Sequence, residues 1–386
     1  MIGREAASLP TVQAGKALDR VQSALHRHRN WELLLQAALL FAASSLLVEL
    51  MARAGTLAFN MAAPSVSDLC RWDCKWYGSI AAHGYQLQPT PSFRGYANWA
   101  FFPLFPLAAK ALALLTHAGT GLALVATSKV FYFFAIVSFM ILVRKAIDPS
   151  AALLAGAVLA FNPYLVYGHV GYSEPLYFTL TCLAFWFLLD RKWLAAGVIG
   201  GLLSATRVVG LLIAIPYLVS AARDRHALRR DWPSILLGLL LIPAGITLFA
   251  LHLHARMGDG LAFDHVQVAW ARSLDNPIEV LTLGFRTGAW DAVFASVGVL
   301  SLLMSVLLIV RREYAYGLLL LAATVIPIAE GLLSLPRFVF WQMPLLYGIV
   351  RVLHGRRWLE IGYFAMAGGI AAFTLLGWFS GKSWII

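Results

Sequence analysis

The chain has 386 residues and a formal net charge of +11, from 30 Lys and Arg against 19 Asp and Glu. Hydrophobic residues make up 60% of it and charged residues 13%, and the mean hydropathy is +0.74. A typical soluble domain is about 45–50% apolar and about 25% charged. Because so few charges cannot cover a globular surface, the composition predicts a polytopic membrane protein. It excludes a disordered chain, a disulfide scaffold and a nucleic-acid-binding protein.

The first segment, residues 1–30, is basic and precedes the first long apolar run. Its cations are Arg4, Lys16, Arg20, Arg27 and Arg29. The length of this segment and the two acids within it argue against a cleaved signal peptide. We therefore predict that it is a cytoplasmic N-terminal segment.

A helix needs about 20 apolar residues to cross the hydrocarbon layer of a bilayer. On that rule the sequence predicts eleven spans, near 32–51, 121–143, 151–170, 175–189, 193–206, 208–222, 233–255, 291–310, 314–333, 338–353 and 360–379. The two spans within 193–222 are short enough to form a hairpin that does not fully cross. An odd number of spans places the two termini on opposite sides of the membrane.

The apolar stretch 101–118 decides the orientation. If it lies along the outer surface, eighteen of the 30 cations fall in cytoplasmic segments, as the positive-inside rule requires. If it crosses, thirteen of those eighteen move outside. We therefore predict a cytoplasmic N-terminus, a first outer loop at 52–120 and a second outer loop at 256–290. Residues 1–386 then form a single integral-membrane domain.

The first outer loop contains the richest polar motif, Cys70-Arg71-Trp72-Asp73-Cys74-Lys75-Trp76-Tyr77. Its aromatic residues are typical of a short amphipathic helix at the membrane interface. On such a helix Asp73 and Tyr77 share a face, because they are four residues apart. The alternative is that Asp73 only pairs with Lys75 or caps the helix.

Two further acids lie where charge is costly. Glu174 stands at the outer end of a span, and Glu330 lies within an apolar run. A carboxylate at membrane depth needs a partner or a wet cavity, so it is a functional hypothesis by default. The alternative for Glu330 is an ion pair with a nearby cation such as Arg337.

Arg207 and Arg337 interrupt apolar sequence at predicted outer turns. Either one alone is explained by snorkelling to the interface. Together with the acids they would form a phosphate site, because the planar guanidinium matches phosphate oxygens. The second outer loop adds Trp270 and Arg272, in a mixture of residues that fits a loop over a membrane-level cavity or an interfacial helix.

The cysteines and histidines indicate no cofactor. Cys70 and Cys74 fit either a local disulfide or two free thiols, and Cys182 lies within a span. The histidines show no metal-binding spacing, and the sequence lacks a complete nucleotide-binding loop. We therefore predict neither a metal nor another cofactor.

The polar motifs together resemble a known family. The blocks are Trp72-Asp73-x-x-Trp76-Tyr77-x-x-Ile80-Ala81-x-x-Gly84-Tyr85, Phe101-Phe102-Pro103-Leu104-Phe105-Pro106, Asn162-Pro163, Tyr172-Ser173-Glu174, Thr206-Arg207-x-x-Gly210, Gln267-x-x-Trp270-x-Arg272 and Pro336-Arg337-Phe338. In this order they resemble the bacterial relatives of the PIG-V-like, GPI mannosyltransferase II-like family. The blocks run from about residue 70 to 350, so the resemblance covers most of the chain.

The resemblance implies an all-α GT-C glycosyltransferase fold, with juxtamembrane helices in the first outer loop. It implies a polyprenyl-phosphate sugar donor, a glycan, glycolipid or protein acceptor, and a catalytic base at Asp73. Cys74 departs from the small residue expected at that position. A GT-C enzyme of this kind is expected in the bacterial inner membrane, with its site on the outer face and no nucleic-acid partner.

The residues and the resemblance together give a set of expected roles. Asp73 is the expected base, and Glu174 is a second candidate or a residue that orients the sugar. Arg207 and Arg337 are expected to bind the donor phosphate. Weaker candidates for sugar or acceptor contact are Tyr77, His83, Trp270 and Arg272. The alternatives are a transporter or flippase of a lipid-linked saccharide, and a structural partner in a glycan-export complex.

Overall fold

A computed structural model of the chain describes residues 9–59, 65–91 and 94–382. Residues 1–8 of the predicted cytoplasmic segment lie outside the described residues. Throughout the described ranges the secondary structure consists of α-helices and short 3-10 turns, without strands. The predicted all-α fold class is confirmed.

The helices follow one another along the chain with short connections. The first ten are α1 (Leu9–Phe59), α2 (Val66–Leu69), α3 (Asp73–His83), α4 (Leu104–Thr116), α5 (Thr120–Ala146), α6 (Ala152–Ala160), α7 (Glu174–Leu189), α8 (Trp193–Ser204), α9 (Ala214–Arg223) and α10 (Arg225–Arg230). The others are α11 (Trp232–Leu241), α12 (Ala244–Met257), α13 (Ala262–His265), α14 (Pro277–Thr287), α15 (Ala289–Val310), α16 (Tyr314–Ala329), α17 (Leu335–Phe340), α18 (Met343–Leu353) and α19 (Arg357–Phe379). Helices α2, α3 and α4 occupy the loop predicted at 52–120.

Five helical segments are long and apolar enough to cross a bilayer by themselves. They are Asn30–Ala58, Thr120–Ala146, Trp232–Met257, Ala289–Val310 and Arg357–Phe379. The other six predicted spans fall on shorter apolar helices of 10–17 residues. The protein is therefore an integral membrane protein, and the count of eleven complete spans stays a prediction.

Several spans are short because the chain breaks within them. Helix α6 ends before Asn162-Pro163, where proline cannot continue the helical hydrogen bonding. The Asn162 amide replaces part of that bonding, donating to the Leu159 carbonyl at 2.9 Å and accepting from the Tyr164 amide at 2.8 Å. Such replacement is needed because membrane-level backbone groups have no water to bind.

A second break, between α17 and α18, is joined to the first. The indole nitrogen of Trp341 donates to the Tyr164 carbonyl at 3.0 Å, and the Trp341 side chain is almost fully buried. The two irregular segments therefore support each other inside the main hydrophobic core, which extends from Leu33 to Phe379. Irregular backbone at membrane depth is tolerated where protein buries it.

The first loop is anchored to the end of α19. The Trp378 indole donates to the Asp68 carbonyl at 2.8 Å, and the Arg71 guanidinium donates to the Trp378 carbonyl at 3.1 Å. The rings of Trp72 and Trp378 meet edge to face, with their centroids 4.6 Å apart. These contacts place the start of α3, and with it Asp73, against the body of the bundle.

The backbones of helices α8 and α11 approach each other closely where Gly197 and Gly238 meet. A β-carbon added to Gly197 would lie 2.2 Å from the carbonyl oxygen of Gly238. The obstacle is backbone, which cannot rotate away as a flexible side chain does. The two helices are therefore packed too closely to accept a methyl group at this crossing.

We predict that Gly197→Ala destabilises the protein by about 1–3 kcal/mol, the usual cost of overpacking. The measurement is the melting temperature of the purified protein in detergent. Gly368→Ala is the matched control, because a β-carbon there meets nothing within 4 Å. Equal melting temperatures for the two variants would contradict the close crossing.

Candidate active site

Four segments distant in the sequence bring the predicted acids and arginines together. Asp73 begins α3 and Glu174 begins α7, while Arg207 lies between α8 and α9 and Arg337 lies in α17. Arg337 Nη1 is 2.8 Å from Asp73 Oδ2, and Arg207 Nη1 is 2.8 Å from Glu174 Oε1. Arg337 Nε is also 3.4 Å from Glu174 Oε1. The convergence that the sequence left open is therefore present.

The charges differ in their access to solvent. The side chains of Glu174 and Arg337 are 3% and 4% exposed, whereas those of Asp73 and Arg207 are each 20% exposed. Buried charges are tolerated when they are paired, and Arg337 additionally lies over the rings of Tyr167 and Tyr172, 5.3 and 5.4 Å from their centroids. Glu174 and Arg337 therefore form the buried centre of the cluster, while Asp73 and Arg207 stay accessible to solvent.

A cavity of about 550 Å³ opens in front of this cluster. Its polar and charged lining residues are Asp73, Tyr77, Thr206, Arg207, Asp264, Gln267, Arg272, Glu330, Ser334 and Arg337. Its main apolar and aromatic lining residues are Trp72, Trp76, Phe101, Phe102, Val208, Phe263, Trp270, Leu333 and Phe338. A pocket with aromatic walls and a few convergent polar groups is the usual form of a ligand site.

A smaller cavity of about 80 Å³ adjoins the larger one. The two share Arg207, Val208, Arg272, Glu330 and Phe338, so these residues form the boundary between them. Glu174 lines the smaller cavity, and its Oε2 atom is buried without a hydrogen-bond partner in the described part of the chain. Asp73 therefore lines the larger cavity, and Glu174 lines the smaller one.

Tyr77 lies on the same face of α3 as Asp73, as their spacing predicts. Its hydroxyl is 2.9 Å from the Ser173 hydroxyl, directly before Glu174. Burial raises the pKa of the Tyr77 phenol above its ordinary value, so Tyr77 stays neutral. It therefore serves as a hydrogen-bonding group and not as a charge.

Trp270, from the second loop, completes an aromatic wall of the larger cavity. Its ring centroid is 4.9 Å from that of Tyr96, 5.9 Å from that of Trp76 and 6.0 Å from that of Phe101. All four residues come from the two loops that the sequence predicts on one side of the membrane. The loops thus meet over the ionic cluster.

Glu330 pairs with a different arginine from the one expected. Its Oε2 atom is 4.0 Å from Arg272 Nη1, whereas the sequence suggested Arg337 as the partner. Arg337 is already occupied by Asp73 and Glu174. The expected ion pair of Glu330 with a nearby cation is therefore present, with Arg272 in place of the suggested Arg337.

Phe338 belongs to the Pro336-Arg337-Phe338 motif, but the sequence assigned it no role in the site. Its ring lies 4.7 Å from the Arg337 guanidinium, 5.0 Å from that of Arg207 and 5.7 Å from that of Arg272, measured to the ring centroid. A ring face attracts cations through its quadrupole, so Phe338 allows three guanidiniums to gather around it. Its position directly after Arg337 was the available signal.

His83 does not join the cluster. It is exposed at the last turn of α3 and does not line either cavity. Ten residues of helix separate it from Asp73, which corresponds to about 15 Å along the axis. The ranges described contain no group of three or more His, Cys, Asp or Glu side chains suited to a metal ion.

The first loop carries a disulfide between Cys70 and Cys74, which settles the choice that the sequence left open. Asp73 lies inside the bridged segment. A β-carbon on Gly171 would lie 2.4 Å from the Cys74 sulfur, so the bridge packs directly on the chain that leads to Glu174. Cys182 is buried and unbridged.

Comparison with known proteins gives a family and a fold. Residues 30–220 match the family model described as Mannosyltransferase (PIG-V). The matched range is just under half of the chain, and it shows a likeness to this family over those residues. The predicted resemblance is confirmed, and the matched range includes Asp73, Glu174 and Arg207 of the cluster. No curated protein sequence matches the chain.

Two solved membrane-enzyme structures are similar in fold to this chain. ArnT from Cupriavidus metallidurans, in the apo state, is 17% identical with a TM-score of 0.51, covering 88% of this chain and 63% of ArnT. The archaeal oligosaccharyltransferase AglB from Archaeoglobus fulgidus, in complex with an inhibitory peptide and a dolichol-phosphate, is 14% identical with a TM-score of 0.50. It covers 90% of this chain and 56% of AglB. The fold is GT-C, and the chain spans less than two thirds of either protein's length.

We predict that Arg337→Gln destabilises the protein by about 3–5 kcal/mol, because it removes the cation that Asp73 and buried Glu174 share. Thermal unfolding in detergent measures this. Arg286→Gln is the control, since Arg286 is exposed on α14 and its loss should cost less than about 0.5 kcal/mol. A change as small as that of the control would show that the pairing is not structural.

Removing the disulfide with Cys70→Ser and Cys74→Ser together should lower stability by about 2 kcal/mol, the loop-closure value for so short a ring. A reducing agent should lower the melting temperature of the wild type by a similar amount. It should leave the double variant unchanged. A shift in the double variant on reduction would assign the effect to another group.

Proposed function

We propose that the protein is a membrane glycosyltransferase that moves a sugar, mannose in the simplest case, from a polyprenyl-phosphate donor to an acceptor hydroxyl. The observation that carries this proposal is the partly exposed carboxylate of Asp73. It faces a cavity of about 550 Å³ together with three arginines. The PIG-V match and the GT-C fold support glycosyl transfer.

The donor class follows from chemistry that the site supplies. A lipid-linked sugar phosphate carries its own leaving group, so the protein needs neither a nucleotide fold nor ATP. It needs cations at the departing phosphate and a cavity within reach of the bilayer. The similar AglB structure holds a dolichol-phosphate and an inhibitory peptide. That complex supports a lipid phosphate donor and leaves the acceptor as a glycan, glycolipid or protein.

Asp73 is proposed as the general base. Arg337 holds one of its carboxylate oxygens at 2.8 Å and orients the group, so the other oxygen can accept the acceptor's hydroxyl proton. As that proton moves to Asp73, the acceptor oxygen bonds to the anomeric carbon. The bond from that carbon to the phosphate oxygen breaks, and its electron pair stays on the phosphate. Attack opposite the leaving group inverts the anomeric configuration.

Glu174 is proposed to orient the arginines and not to act as a second base. Its side chain is 3% exposed and contacts two guanidiniums through one oxygen. A carboxylate so enclosed cannot approach an acceptor in the larger cavity. Its uncontacted oxygen is left to bind a sugar hydroxyl in the smaller cavity.

The three arginines divide between orientation and phosphate binding. Arg207 and Arg272 are 20% and 29% exposed, so they can donate to a phosphate at the boundary of the two cavities. Arg337, at 4% exposure, contributes mainly its charge. Tyr77 and Trp270 are placed to contact sugar or acceptor, and His83 would need a long acceptor to take part.

The proposed orientation places this site on the non-cytoplasmic face of the bacterial inner membrane. Support comes from the eighteen cations that this orientation assigns to cytoplasmic segments, and from the disulfide, which favours an oxidising compartment. The hydrophobic core from Leu33 to Phe379 supports treating the chain as a single integral domain.

We predict that Asp73→Asn reduces transfer of mannose from a radiolabelled polyprenyl-phosphate mannose by about 10²–10⁴-fold, the usual contribution of a general base. Purified protein with candidate acceptors is the assay. Asp275→Asn is the control, because Asp275 is exposed and does not line the cavities. It should retain wild-type activity.

Full activity of Asp73→Asn would remove Asp73 as the base. Movement of the donor across the bilayer without sugar transfer by the wild type would replace the transferase by a flippase. The two outcomes are read in the same vesicles, by product analysis and by donor accessibility.

A further inference from the structure

The ion pairs around the two cavities differ in length and in exposure to solvent. Arg337 and Arg207 each contact a carboxylate oxygen at 2.8 Å, with one partner of each pair deeply buried. The pair of Arg272 and Glu330 is longer, at 4.0 Å, and its side chains are 29% and 33% exposed. It is the longest and most accessible of the four arginine–carboxylate pairs that line the cavities.

The surroundings of Arg272 disfavour its positive charge. Burial lowers the pKa of its guanidinium, the positive charge of Arg337 lowers it further, and Glu330 acts in the opposite direction. Arg272 therefore gains from any anion that approaches it. A phosphate oxygen can bind a guanidinium through two parallel hydrogen bonds, which a carboxylate 4.0 Å away does not achieve.

Glu330 lies at the boundary of the two cavities, where the proposed phosphate would bind. It directly follows the last residue of α16 and precedes Gly331. It lines the boundary of both cavities next to Arg207 and Phe338. A phosphate bound at that boundary would therefore compete with Glu330 for Arg272.

We infer that Glu330 is an exchangeable counter-ion, which pairs with Arg272 until an anionic donor phosphate takes its place and which competes with the phosphate again after transfer. This inference rests on the proposed lipid-phosphate donor. It assigns Glu330 a positioning role that is distinct from the base and from the phosphate ligands.

The charges explain why such a competitor is useful. Arg207, Arg272 and Arg337 face Asp73, Glu174 and Glu330 in ion pairs, and exposed Asp264 adds another negative charge to the larger cavity. The donor is a phosphodiester with a single negative charge, whereas the product is a phosphomonoester with about −1.5 to −2 at pH 7. Glu330 therefore repels the product more strongly than the donor and speeds its release.

The test measures farnesyl phosphate binding to the full chain in detergent by calorimetry. Glu330→Gln should bind it roughly three- to tenfold more tightly than wild type, as expected for loss of a partly exposed competing charge. Arg272→Gln should bind it more weakly. Farnesol, which lacks the phosphate, should show no difference between the variants.

Two comparisons separate this role from a general charge effect. Asp264→Asn removes a negative charge from the same cavity without removing the partner of Arg272, and it should change affinity less than twofold. In the Arg272→Gln background, Glu330→Gln should lose most of its effect, because the double-mutant cycle isolates the pairwise contribution.

The inference also predicts how KM and kcat change in the Glu330→Gln variant. Glu330→Gln should lower KM for the prenyl-phosphate mannose and also lower kcat, because the product leaves more slowly. A purely structural role would instead raise KM or leave it unchanged. Melting temperatures of each variant show whether the fold is retained.

Unchanged or weaker binding by a folded Glu330→Gln variant would overturn the inference, and so would an equal gain in Asp264→Asn. Neither result touches the proposed function, which the wild-type transfer assay decides separately. Absence of both farnesyl phosphate binding and transfer in the wild type would overturn the proposed donor and this inference together.

Discussion

The structure depends on one buried cation. Arg337, at 4% exposure, contacts Asp73 of α3 and Glu174 of α7 from its place in α17. Removing an ion from water is costly, and only close pairing compensates for that cost in a low-dielectric interior. The three segments are therefore held in one arrangement, and Asp73 is positioned as a consequence. The rings of Tyr167 and Tyr172 close the remaining sides of the guanidinium.

Broken helices make room for that cation. A continuous helix satisfies its own backbone but presents only side chains, whereas a break exposes helix ends and loops inside the bundle. Glu174 stands at the start of α7, Arg207 follows the end of α8, and Arg337 lies in short α17. The tryptophan and asparagine contacts at the other breaks keep the irregular backbone paired. The polar cluster and the short spans are thus two results of the same construction.

The sequence predicted local features well and distant pairings poorly. Apolar runs marked the helices, and the four-residue spacing of Asp73 and Tyr77 correctly placed both on one face. The motifs correctly indicated the PIG-V-like family. Partners could not be derived in the same way, because Asp73 and Arg337 are 264 residues apart and spacing carries no information over such a distance. For the same reason the sequence offered Arg337 as an example of a partner for Glu330, whereas the second loop brings Arg272 to it in three dimensions.

The paired charges also bear on the proposed chemistry. During the proposed transfer Asp73 gains a proton and loses its negative charge. The phosphate gains a negative charge as it becomes a monoester. The total charge of the cavity is therefore conserved, and the reaction moves a negative charge from beside Arg337 towards Arg207 and Arg272. Preorganised cations at the position where charge develops lower the barrier most. Phe338, whose ring contacts all three guanidiniums, keeps both ends of that path within one cluster. A site with a single arginine would have to surrender its hold on the base in order to bind the leaving group.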